Sequence, residues 1–150
     1  MIKFSRTVLA VVIVLVLIQF IPVNRTNEPV QAAEDFIQVM QTPPQVTALL
    51  KNACYDCHSN ETVYPDYARV APFSWSVKHH VNKGRRYANF SVWASYNDEL
   101  KMNMLKKSAQ TLKDHTMPMP AYINFHPEAS LTPGERELLI SYFESLAAEQ

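Results

Sequence analysis

Cys54, Tyr55, Asp56, Cys57 and His58 place two thiols three residues apart with an imidazole immediately after the second, and they hold the only two cysteines of the 150 residues. On a helical turn, residues i and i+3 share a face, so both sulfurs can reach the two vinyl groups of a single haem while a histidine at i+4 rotates beneath its iron. The spacing therefore predicts c-type attachment, with Cys54 and Cys57 as covalent thioether donors to one haem c and His58 as the proximal axial ligand. Three other chemistries compete poorly. A Cys54–Cys57 disulfide would close a loop too small to stabilise much. A thioredoxin-like dithiol accompanies a βαβ pattern that is missing here. A zinc site needs about four ligands, and there is no second cysteine pair.

The opposite face of such a haem needs a partner. Met117-Pro118-Met119-Pro120 is a segment in which proline stiffens the backbone and can hold a thioether toward the iron, so Met117 is the expected distal ligand. The alternatives are His80, His79 and Met119; either histidine would give bis-imidazole ligation and a lower reduction potential. Met102 and Met104 read as core side chains. His115 and His126 read as loop histidines, and His126-Pro127-Glu128 as a loop-fixing element before the last helix. Trp75 is expected to lie against the haem, with Tyr64, Tyr67, Trp93 and Tyr122 offering further flat surface. Arg85, like Arg69 and Arg86, is a candidate partner for the propionates, although a solvated role suits each arginine equally.

These residues must be held by helices. Only two glycines against ten prolines disfavour phosphate-cradling loops and most small β-sandwiches, and no stretch alternates convincingly. Fourteen basic residues balance fourteen acidic ones, which argues against a nucleic-acid partner. Thr42-Pro43-Pro44 starts a helix carrying Val46, Leu49, Leu50 and Ala53 and delivering Cys54–His58. A second helix is expected from the cap Ser74, through Trp75, Val77 and Val81, to an end near Gly84. A third begins with a box from Ser95 to Asp98 and runs through Leu100, Met104, Ser108, Thr111 and Leu112. The last combines Thr132, Pro133 and Glu135 as cap, first residue and reciprocal acid, with Leu138, Leu139, Tyr142, Phe143 and Leu146 on one face. Proline-rich loops are expected at 59–73 and 116–131.

Upstream, Lys3 and Arg6 precede the apolar stretch Thr7–Val23, which reaches about 25 Å as a helix. It reads as a retained anchor over residues 1–23, single-pass in the cytoplasmic membrane, which places the rest in the periplasm or outside. Residues 24–41 read as a tether that would let the domain sweep its surroundings, and 42–150 as an all-α, cytochrome c-like haem domain.

The run Cys54 to Thr62, then Tyr64-Pro65, Pro72, Ser74-Trp75, His80, Gly84-Arg85 and Asn89-Phe90-Ser91, resembles the bacterial haem-binding-domain family of small cytochrome c-like proteins. Met117-Pro118, Tyr122, His126-Pro127-Glu128-Ala129 and Leu131-Thr132 continue the likeness, which covers about 42–146. The resemblance implies one covalent haem, usually behind a membrane anchor, and favours Met117 over Met119, since in the family the position matching Met117 is the methionine of a Met-Pro pair while that of Met119 more often looks like leucine. The expected function is one-electron transfer to and from redox partner proteins rather than catalysis. A peroxidase-like enzyme or a haem-based ligand sensor would need an open sixth position.

Overall fold

The computed structural model describes residues 2–149, with side chains from Ser5 onward; Met1, Gln150 and the side chain of Lys3, which belongs to the expected anchor, lie outside the described residues. Helix α1, Ile2–Leu17, is followed by a 3-10 turn over Ile18–Phe20. At 16 residues the helix is about 24 Å long, short of the ~30 Å hydrocarbon core. Among the described residues no helix is long and apolar enough to cross a membrane, so the single-pass anchor is not supported, and the location inferred from it falls as well. The apolar run is cut short by its own polar residue. Gln19 turns back onto the chain, its Nε2 donating to the Ala71 carbonyl at 3.1 Å and its Oε1 accepting from the Ala71 amide at 2.9 Å.

Residues 24–41 are not a free tether either. Arg25 donates to the Ala68 carbonyl at 3.1 Å and Asn27 to the Thr62 carbonyl at 2.9 Å. A single helical turn, α2 over Phe36–Val39, is capped by the Asp35 carboxylate, which accepts from the Ile37 amide at 3.0 Å. Phe36 is fully buried, with ring centroids 5.1 Å from Phe90, 4.9 Å from Trp93 and 6.2 Å from Phe143. Four residues are too few to show a helical period, which is why the stretch reads as irregular in sequence. Phe36→Ala is expected to lower stability by about 3–5 kcal/mol, since cavity formation adds to lost burial. Urea unfolding measures this, and an unchanged midpoint would make 24–41 dispensable.

The four expected helices follow: α3 (Pro44–Ala53), α5 (Phe73–Tyr87), α6 (Asp98–Lys113) and α8 (Pro133–Ala148), with single turns α4 (Tyr55–His58) and α7 (Pro120–Ile123) between them. Short 3-10 segments occupy Asp66–Arg69, Phe90–Ser95 and Pro127–Ala129, and no strand occurs among the described residues. Helices α6 and α8 pack along each other, burying Leu105, Ala109 and Leu112 with Leu139, Ile140 and Phe143; α3 adds Val46 and Leu50 to the same core. Met104 is buried there as expected.

Boundaries moved where a better partner existed. The α8 start is the expected capping box, Thr132 Oγ1 accepting from the Glu135 amide while the Glu135 carboxylate accepts from the Thr132 amide. For α6 the cap is Asn97, whose side chain accepts from the Leu100 amide at 2.9 Å, whereas Ser95 bonds back to Val92. Helix α5 starts at Phe73, so Ser74 is buried inside it, and it runs past Gly84 to Tyr87. Left-handed backbone occurs instead at Gln41 (φ 48°), just after α2, and at His115 (φ 54°), just after α6.

Candidate functional site

Helix α3 ends by handing its last bond to the motif: the Cys54 amide donates to Leu50, and φ −127° at Cys54 breaks the axis. The Cys54 carbonyl then accepts from the amides of Cys57 (3.2 Å) and His58 (2.9 Å), which winds α4 into the turn that the spacing requires. Both residues between the cysteines are anchors. Tyr55 is buried, stacked on Phe90 at 5.5 Å, and its hydroxyl donates to the Asp35 carboxylate at 3.1 Å. Burial raises the pKa of Asp35 and, chiefly through burial again, that of Tyr55. Asp56 accepts at its carbonyl from Thr62 Oγ1 (2.6 Å) and at its carboxylate from the Val63 amide (2.9 Å) and the Tyr122 hydroxyl (2.7 Å). One carboxylate thus ties the loop after the motif, and the segment after Met117, to the attachment turn.

Helix α5 crosses this turn at Gly84. A Cβ there would stand 2.4 Å from the Cys57 carbonyl oxygen and 3.2 Å from its Cβ, so only glycine permits the approach. One turn on, the Ala88 carbonyl lies 3.0 Å from His58 Nδ1. A carbonyl can only accept, so Nδ1 carries the proton and Nε2 keeps a free lone pair. Burial lowers the His58 pKa and so favours this neutral imidazole. Burial also pushes the Cys54 thiol up to about 12 and the Cys57 thiol up to about 11, both free of any disulfide. Such thiols are poor thiolates, the opposite of a redox-active dithiol.

Two adjoining cavities, of about 170 and 140 Å³, flank Cys57, and both are lined by Cys57, His80, Met119 and Tyr122. The second also meets His58, Gly84, Met117 and Pro118, so His58 and Met117 share it. The first is walled by Val63, Phe73, Val77, Val81 and Phe125, with Tyr67 and His126 at its polar end. His126 donates from Nδ1 to Glu128 (3.1 Å) and accepts at Nε2 from the Tyr67 hydroxyl (2.9 Å), while its ring stacks on Tyr122 at 4.3 Å. That is the loop-fixing role expected for His126.

Other expected contacts are placed elsewhere. His79 lines neither cavity. Nor does Arg85, whose guanidinium is committed to the loop after the motif through the Ser59 carbonyl (2.7 Å), Thr62 Oγ1 (2.9 Å) and Asn27 Oδ1 (2.7 Å). Three of its N–H donors thus brace the Ser59 carbonyl and the Thr62 and Asn27 side chains, away from both cavities, which is not where a propionate partner was expected. Trp75 lines neither cavity, and its buried Nε1 has no hydrogen-bond partner. Cys54 faces the core rather than the cavities. Trp93, read as flat surface for the cofactor, is buried in the core under Phe36. Sequence reasoning missed Asp35, Asp56 and Ala88; the first two could have been suspected from their positions at a cap and inside the motif, whereas a backbone carbonyl leaves no local signal.

No group of three or more His, Cys, Asp or Glu side chains converges among the described residues, so an all-protein cage for a metal such as zinc is missing. What the second cavity brings together instead is the Cys57 thiol, the His58 imidazole with Nε2 free, and Met117, while Cys54 on the same turn packs toward the core. That donor set suits the covalent haem expected from the sequence. A family model described as haem-binding domain matches residues 13–145. No curated protein and no solved structure matches the chain.

Proposed function

The chain belongs to the haem-binding domain family, and we propose that it carries one haem, bound covalently through Cys54 and Cys57, as a cytochrome c-like one-electron carrier rather than an enzyme. Bound there, haem would supply one-electron redox chemistry, with His58 and Met117 as the residues that would hold its iron. The chain's own residues do the rest. His58, its Nδ1 proton held by Ala88, presents Nε2 in a fixed orientation and as a stronger donor. Met117 offers the opposing thioether, which favours the reduced state and a relatively high potential. Val77 and Val81 give the first cavity apolar walls. His80, Lys83 and Tyr87 are exposed at the rim of the second cavity, where redox partner proteins can approach.

The observation that carries this reading is that Cys57, His58 and Met117 line one cavity although Met117 is far along the chain. The test is extraction of the pigmented protein with acidified acetone. The colour is expected to stay with the polypeptide, one iron per chain; pigment in the supernatant would overturn covalent attachment. A strongly negative midpoint in a reductive titration would count against His/Met ligation and for His80.

A further inference from the structure

Arg136 is the one cation of α8 that turns toward the Met117 segment. It stands in the first turn of α8, immediately after the capping box that fixes where the helix begins. Its Nη1 donates to two carbonyls at once, that of Met117 at 2.8 Å and that of Leu112 at 3.0 Å. The second is one of the last carbonyls of α6, which also accepts from the His115 amide at 3.2 Å, so the guanidinium joins the turn that closes that helix. The side chain is half-buried and takes part in no salt bridge among the described residues. Its charge is therefore spent on these two carbonyl dipoles.

We infer that Arg136 is a positioning residue for the distal ligand, fixing the Met117 backbone so that its sulfur stays on the iron. This rests on Met117 being that ligand. The Met117 amide and the neighbouring Thr116 amide both donate to the Thr111 carbonyl, at 3.2 and 3.0 Å. The segment is thus tied to the end of α6 through its amides and to α8 through its carbonyl. A thioether is a neutral, weak ligand on a side chain with three rotatable bonds, so its hold on a metal depends on how well the backbone is placed beforehand. The guanidinium suits the task because one planar nitrogen directs two hydrogens at two acceptors in fixed geometry, which a lysine ammonium on a flexible stem reproduces poorly.

The experiment uses the haem-loaded full chain and reads ligation rather than turnover. The far-red absorption that marks methionine sulfur on ferric haem, and the rate of carbon monoxide binding to the ferrous form, are recorded for wild type, Met117→Ala, Arg136→Met, Arg136→Gln and Arg136→Lys. Met117→Ala is expected to abolish the absorption. Arg136→Met and Arg136→Gln are expected to weaken it and to speed carbon monoxide binding at least about tenfold, because the open form becomes more populated. Arg136→Lys should recover part of both. Thermal unfolding followed by circular dichroism identifies any variant that does not fold, and the milder Gln and Lys variants then decide. If Met117→Ala abolishes the absorption while folded Arg136 variants keep it and bind carbon monoxide at the wild-type rate, the role of Arg136 is refuted and the ligand stands. If Met117→Ala leaves the spectrum unchanged, the ligand assignment fails and takes the inference with it.

Discussion

Gly84→Ala is expected to lower stability by about 2–3 kcal/mol and to impair haem incorporation, although alanine is the better helix former by about 1 kcal/mol. The added methyl would sit 2.4 Å from the carbonyl oxygen of Cys57 and 3.0 Å from its carbonyl carbon. Those atoms are backbone, held by the Asp56 and Cys54 bonds around them, so no side-chain rotation can relieve the overlap. Either α5 moves outward, widening the gap between His58 Nδ1 and Ala88, or the attachment turn is pushed out of shape. Gly134→Ala is the matched control: it also lies in a helix, but a Cβ there meets nothing within 4 Å. It should be neutral or slightly stabilising. Denaturant unfolding of both variants, with haem content per chain, checks the pair. Equal stability for the two would show that the close crossing of α5 over Cys57 carries no weight.

The second large effect is expected from His58→Ala. In the proposed covalent reading the links rest on Cys54 and Cys57 and should survive, so pigment is expected to remain with the chain after acid extraction. What is lost is the imidazole proposed to lie beneath the metal; His79 lines neither cavity, and His80, which shares the second cavity, comes from α5 rather than from the motif turn. The six-coordinate spectrum should disappear, and added imidazole should restore it by filling the space that the side chain vacates. An unaltered spectrum in the variant would place the proximal ligand elsewhere. The same deletion leaves the Ala88 carbonyl without its His58 partner, a further cost of about 1–3 kcal/mol that denaturant unfolding of the loaded protein reads separately.

Much of the site was legible because it is local. Two thiols and an imidazole within five residues describe their own geometry once the segment is one helical turn, and the capping box at Thr132–Glu135 likewise announces a helix without reference to anything distant. Gly84 shows the limit of such reading. Glycine ends helices often enough to suggest a terminus, but here it is interior to α5 and pressed against Cys57, a role visible only when two elements cross. Arg85 shows it too. A cation near a cofactor motif suggests a propionate partner, yet the loop carbonyl of Ser59 and the side chains of Thr62 and Asn27 reach it first.

Residue types and spacing by themselves determined the all-helical class, the four main helices, the helical turn of the Cys54–His58 motif and the expectation of haem, because each depends on contacts within a few residues along the chain. Tertiary structure alone decided that the N-terminal helix stops at Leu17 while Gln19 bonds to Ala71, that the supposed tether carries Phe36 into the core, and that Met117 shares a cavity with His58 while its carbonyl accepts from Arg136. The physical reason is that hydrogen bonds and burial are settled by which groups meet in space, and groups distant in sequence meet only after the chain has packed.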